Sequence, residues 1–130
     1  MTEQLSPLAL QALAVVEESG AIIGANHAHP HTIRHKGRID LVTETDIAVE
    51  AFLKERLATL APQAGFLAEE SAEDLSLPDT CWIIDPVDGT TNFAHGLPLT
   101  VTSVAYRLNG EIVLGIVNAP LLHECFIAEK

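Results

Sequence analysis

Eight consecutive residues, Asp85-Pro86-Val87-Asp88-Gly89-Thr90-Thr91-Asn92, carry the densest set of chemically useful groups in the chain. Two carboxylates lie three positions apart on backbone turned by Pro86 and Gly89, so they can converge on one hard cation. Magnesium takes oxygen ligands in an octahedron and keeps several of its waters. Gly89, Thr90 and Thr91 can then open a helix, whose outward N–H groups suit a phosphate. Carboxylates beside anion-binding amides make chemical sense when a metal lies between them and bridges protein oxygen to phosphate oxygen.

Spacing tests the rival readings. An EF-hand loop with Gly89 at its sixth position would put Ile84 first, Pro86 third and His95 twelfth, none of them a carboxylate. A P-loop would need a Lys after the glycine, and Thr90 stands there. Phosphatases with an aspartyl nucleophile carry Asp-x-Asp-Gly-Thr at a strand end, whereas here Pro86 and Val87 make a two-residue spacer. Residues two apart on a strand share a face and residues three apart do not, so this is the runner-up. A capped turn between strand and helix is the plain structural alternative. Glu69-Glu70 is a second acidic pair. Alone it reads as solvated surface, but if its strand neighbours the one before Asp85, Glu69 can join the same metal. Asp46 reads most simply as a helix cap, and Lys36 as a solvated charge.

The elements around these residues follow from apolar periodicity. Leu5 to Ala25 reads as a helix with Leu8, Leu10, Leu13, Val15 and Val16 on a broad apolar face. His27 to His35 is polar and turn-rich; its histidines match no defined zinc spacing, so a solvated loop is expected. Ile39 to Thr43 alternates like a short strand. A second helix is expected from Thr45 to Leu60, with Thr43 and Asp46 as a capping box and Pro62 as the stop. Gly65 to Ala68 suits a buried strand ending at Glu69, followed by an acidic connector, Ala72 to Asp79. Cys81 to Ile84 suits another, ending at Asp85-Pro86, and strand C-terminal ends are where ligand sites gather in layered folds. Thr100 to Leu108 and Glu111 to Val117 form a hairpin around Asn109-Gly110, and His123 to Ala128 suits a last strand. The chain stops two residues later, which raises the expectation that it belongs to a longer protein.

The chain has 130 residues, 48% hydrophobic and 19% charged, enough to bury a core. Seven Lys+Arg against 18 Asp+Glu give a net charge of -11, which argues against nucleic acid or an anionic membrane as partner. A phosphate ligand would need positive charge from elsewhere. The most apolar stretches, Leu8 to Val16 and Ile112 to Val117, fall short of the ~20 residues of a membrane span. Met1-Thr2-Glu3-Gln4 lacks the basic start of a signal peptide. Cys81 and Cys125 are expected to be two buried thiols, and the compartment cytoplasmic.

Asp85 to Phe93, DPVDGTTNF, resembles the signature of the inositol monophosphatase family of magnesium-dependent, lithium-sensitive phosphatases. Lys36 with Asp40-Leu41-Val42-Thr43 and Thr45-Asp46 is similar to the family's N-terminal segment, Glu69-Glu70-Ser71 to its acidic segment, and Trp82-Ile83-Ile84 to the strand before the signature. The resemblance implies that Glu69, Asp85, the Val87 carbonyl and Asp88 hold Mg2+. It implies that Glu69, Asp88, Gly89, Thr90 and Thr91 meet the substrate, the last three receiving its phosphate. Asp46 and Thr90 would orient and deprotonate the attacking water, with Lys36 a further member of the catalytic set and no phosphoenzyme formed. The implied fold is α/β, with helices layered on a largely antiparallel sheet. The implied substrate is a small phosphate monoester, foremost inositol monophosphate; relatives act on fructose bisphosphate, histidinol phosphate or nucleoside bisphosphates, and a homodimer stays open. Ala68 departs from the family's usual Gly before the Glu pair, and the Glu69–Asp85 connection is short. The family's second half carries a Trp-Asp motif, and the single Trp here is Trp82. Residues 1–130 are therefore expected to be an N-terminal portion with little turnover of its own; a catalytically silent binding fragment is the non-enzyme alternative.

Overall fold

The computed structural model describes residues 4–27, 37–68, 78–89 and 97–130. Among these, α1 (Pro7–His27) and α2 (Gly37–Leu60) precede five strands: β1 (Gly65–Ala68), β2 (Cys81–Asp88), β3 (Val101–Leu108), β4 (Glu111–Ala119) and β5 (Glu124–Glu129). The strands lie side by side in sequence order. β1 and β2 run parallel, and each later pair is antiparallel. This is the expected α/β layering on a largely antiparallel sheet.

Ser6 starts α1 by accepting a hydrogen bond from the Ala9 N–H at 3.1 Å, with Pro7 in the first helical position, where its missing N–H loses nothing. The Ser6 N–H in turn donates to Glu129 at 2.8 Å, and its hydroxyl donates to the same carboxylate, tying the helix start to β5. Ala9, Ala12, Val16 and Ile23 of α1 are fully buried, as are Val49, Leu53 and Leu57 of α2 at four-residue spacing. They close on Trp82, Ile84, Val104, Tyr106, Leu114 and Ile116 of the sheet. Each buried Val, Leu or Ile among them contributes about 1.5–3 kcal/mol through burial. Trp82 and Tyr106 are cross-strand partners whose ring centroids lie 4.4 Å apart. Arg56 of α2 donates to Glu18 of α1 at 2.7 Å, an exposed pair of modest worth.

The hairpin stands where Asn109-Gly110 predicts it. Both residues take positive φ, 52° and 84°, the geometry whose twist matches the flanking strands. Ile39 to Thr43 is helical, not a strand, and α2 begins at Gly37. Extending a helix needs no new nucleus, whereas a strand needs a ladder partner. Thr43 and Asp46 accordingly do not cap α2 but lie inside it. α1 is shifted two residues along the chain from its expected bounds, starting at Pro7 and reaching His27; His29, His31 and His35 lie outside the described residues.

Two further expectations change. Pro7–Asn26 is long and apolar enough to cross a membrane by length and composition alone. Small residues such as Ala12 and Gly20 carry the apolar stretch beyond its runs of large side chains, and one flank of the helix meets the core described above. Cys81 and Cys125 are both free thiols, but only Cys81 is buried and Cys125 is half-buried. Burial pushes both thiols above the ordinary cysteine range, so neither is activated as a nucleophile.

Candidate functional site

β2 does not stop at Asp85-Pro86; it runs on to Asp88. It does so through a bulge, the register passing from Asp85 opposite Ser103 to Asp88 opposite Val101. Three steps along β2 thus match two steps along β3. Ser103 and Val101 share a face of the sheet, so their partners Asp85 and Asp88 share it too. The one extra residue that spacing alone assigns to the wrong face is absorbed by the bulge. Spacing therefore does not separate a metal-binding pair from a nucleophile and acid/base pair.

The bulge is held from the neighbouring strand. Thr102 is fully buried, and its hydroxyl donates to the Pro86 carbonyl at 2.8 Å. Val87 is 3% exposed and belongs to the hydrophobic core. Pro86 and Val87 both stand outside the register pairs, which suits the backbone position proposed as a metal ligand. Gly89 follows at φ 91°, a left-handed conformation that a side chain would strain. Asp85 is half-buried and Asp88 exposed at this end of the strand. Thr102 and Ser103 escape a sequence reading, because their part depends on which residue faces which across the ladder; the alternation along β3 is the one signal they leave.

β1 ends beside the same stretch of β2. Ala68 lies opposite Ile84 in a parallel pair, so the C-terminal ends of β1 and β2 share one edge of the sheet. Glu69 itself lies outside the described residues, as do Lys36, Thr90 and Thr91. Asp46 is half-buried on α2, the helix that packs on β2. Its neighbour Thr45 is fully buried and accepts a hydrogen bond from Asn26 Nδ2 at 2.7 Å, which sets the end of α1 against this turn of α2. Among the described residues no three His, Cys, Asp or Glu side chains converge, so Asp85, Val87, Asp88 and Gly89 are the part of the candidate site on view. Arg107, which pairs with Cys81, stands at the opposite end of β2.

Residues 4–130 match the model of the inositol monophosphatase family. The chain belongs to the inositol monophosphatase family. An inositol monophosphatase of Dictyostelium discoideum is 44% identical over 123 residues, covering 92% of this chain and 45% of the relative. A fructose-1,6-bisphosphatase/inositol-1-monophosphatase of Thermotoga maritima is 43% identical over 91 residues, 70% of this chain and 35% of the relative. In three dimensions the chain is similar to the extragenic suppressor protein suhB of Bartonella henselae, with TM-score 0.75 and 32% identity over 94% of this chain and 46% of that one. The chain spans about half the length of the curated relatives it matches. Membership in this phosphatase family, and not the spacing of Asp85 and Asp88, is what favours the metal-binding reading over the aspartyl nucleophile.

Proposed function

We propose that this chain supplies the N-terminal portion of a metal-dependent phosphatase that hydrolyses a small phosphate monoester, inositol monophosphate foremost. The observation that carries the proposal is the family match over residues 4–130, and the bulge in β2, which returns Asp85 and Asp88 to one face beside the C-terminal end of β1, agrees with it. Hard carboxylate oxygens with a backbone carbonyl are the donor chemistry that Mg2+ takes. Asp85, Asp88 and the Val87 carbonyl would hold it, with Glu69 as the fourth ligand. Bound there, Mg2+ supplies a Lewis acid for the phosphoryl oxygens and a means of activating water. Gly89 opens the backbone for the phosphate without a Cβ in the way, and Thr90 and Thr91 add donors. Asp46 and Thr90 would orient the attacking water and take its proton, with Lys36 a further member of the catalytic set. On this reading the protein works in the cytoplasm on a small phosphorylated compound, and its net charge of -11 argues against nucleic acid or an anionic membrane as partner.

Two measurements test this. Calorimetric titration of the chain with Mg2+ should show weak binding that Asp85→Asn and Asp88→Asn each reduce about tenfold or more, since each removes a charged ligand. Unchanged binding in Asp85→Asn would take Asp85 out of the metal site. In the full-length product, Mg2+-dependent and Li+-sensitive phosphate release should vanish in Asp85→Asn. Trapping of a covalent aspartyl phosphate would instead establish the nucleophile mechanism.

A further inference from the structure

Thr45 interrupts an apolar row. Val49, Leu53 and Leu57 are fully buried at four-residue spacing along α2, and Thr45 is the preceding position of that row, also fully buried. Valine has nearly the same size and would fill the place with no hydroxyl to satisfy. A buried hydroxyl among apolar neighbours costs stability unless it is hydrogen-bonded. Here Asn26 Nδ2 donates to Thr45 Oγ1 at 2.7 Å. Asn26 lies in the last turn of α1, three residues after the fully buried Ile23. The pair therefore joins two helices that apolar packing would hold together as well. What a satisfied polar pair adds is a single fixed arrangement of the two.

Asp46 follows Thr45 directly. It is half-buried, and its Oδ1 is closed off from solvent, so the carboxylate moves with the backbone that carries it. A side-chain tip lies roughly 5–6 Å from its helix axis, so a roll of α2 by roughly 10° moves it by about 1 Å. A misplacement of about 1 Å can lower a rate about a hundredfold. α2 packs on β2, the strand of Asp85 and Asp88, so such a roll changes where Asp46 stands relative to both carboxylates.

We infer that Asn26 and Thr45 are positioning residues: by fixing the rotation of α2 at this turn, the end of α1 sets the place of the Asp46 carboxylate. The inference rests on the water-orienting role proposed for Asp46. Neither residue acts on the substrate; each acts through Asp46.

The test follows phosphate release by the full-length product and amide hydrogen exchange along α2. Thr45→Val should lower kcat tenfold or more with KM within about twofold. Its thermal stability should hold, because Val fills the same volume and the half-buried Asn26 can turn to water. Asn26→Ala should lower kcat similarly, and stands in should Thr45→Val fail to fold. The double variant should lose no more than either alone, since both remove one contact. Thr45→Ser, which keeps the hydroxyl, should retain kcat. Arg56→Met, which cuts the exposed Arg56–Glu18 tie between the same helices, should leave kcat unchanged. Exchange around Asp46 should quicken in Thr45→Val and Asn26→Ala, while exchange around Leu53 and Leu57 holds. Parent kcat and parent exchange in both variants overturn the inference. So does a loss of kcat that Thr45→Ser and Arg56→Met share, the mark of a merely structural contact. Asp46→Asn separates the two roles. Full activity there removes the role of Asp46 and this inference with it. An inactive Asp46→Asn beside a fully active Thr45→Val and Asn26→Ala removes the tether alone.

Discussion

Thr102→Val isolates the contact that shapes the candidate site. The two side chains are nearly the same size, so the substitution opens no cavity and removes one hydroxyl. That hydroxyl is fully buried and donates to the Pro86 carbonyl at 2.8 Å, and Pro86 is itself buried. The carbonyl would be left in the core without this donor, a loss of about 1–3 kcal/mol. With a urea slope of roughly 1–3 kcal/mol/M for a small domain, the midpoint should fall by roughly 1 M. Thr102→Ser keeps the donor and deletes one methyl, at about 0.8 kcal/mol. Trp82, the single tryptophan and fully buried, reports the transition by its fluorescence. The two variants should part on a second axis. Because the bulge is what brings Asp85 and Asp88 to one face, Thr102→Val should weaken Mg2+ binding while Thr102→Ser retains it. Stability of Thr102→Val within about 0.5 kcal/mol of the parent, the ordinary range of a surface change, would refute the assigned role.

Other outcomes follow from the packing around the helices. In α1, Gly20→Ala and Gly24→Ala should have opposite signs. A Cβ at Gly20 would lie 2.8 Å from Pro120 Cβ and 3.0 Å from Asn118 Nδ2, whereas at Gly24 it meets nothing within 4 Å. Thermal unfolding should show Gly24→Ala stabilised by up to about 1 kcal/mol of helix propensity. Gly20→Ala should be destabilised, overpacking at about 1–3 kcal/mol exceeding that gain. Hydrogen bonds from Ser6 hold the Glu129 carboxyl below the usual glutamate range. A depressed carboxyl stabilises the fold above its unfolded pKa, and that contribution is lost as pH falls through the folded pKa. Ser6→Ala should therefore flatten the acid limb of the melting temperature against pH; an unchanged limb would show that Glu129 plays no part in it.

Much of the site is legible in the amino-acid sequence. Asp85, Asp88 and Gly89 in eight residues point to metal and phosphate chemistry, and DPVDGTTNF points to the family that the comparisons show. The hairpin is legible because Asn109-Gly110 accepts positive φ at both positions, a property of those residues alone. The helix cores are legible because the apolar periodicity of Leu53 and Leu57 is local.

Three things belong to the tertiary structure. Ile39 to Thr43 carries strand-like residues, yet it joins α2, because strand preference is realised only against a partner strand. Asp85 and Asp88 face the same way only because β2 carries one residue more than β3 between their matched pairs, and register is a relation between two strands. The third is which face of the sheet the helices take, that of Val104, Tyr106, Leu114 and Ile116, since it is not written in the alternation of any one strand. Composition and motif set the chemistry available to this chain, through side-chain types and local conformational preference. Its geometry comes from pairing and packing between residues far apart in sequence, which no local pattern encodes.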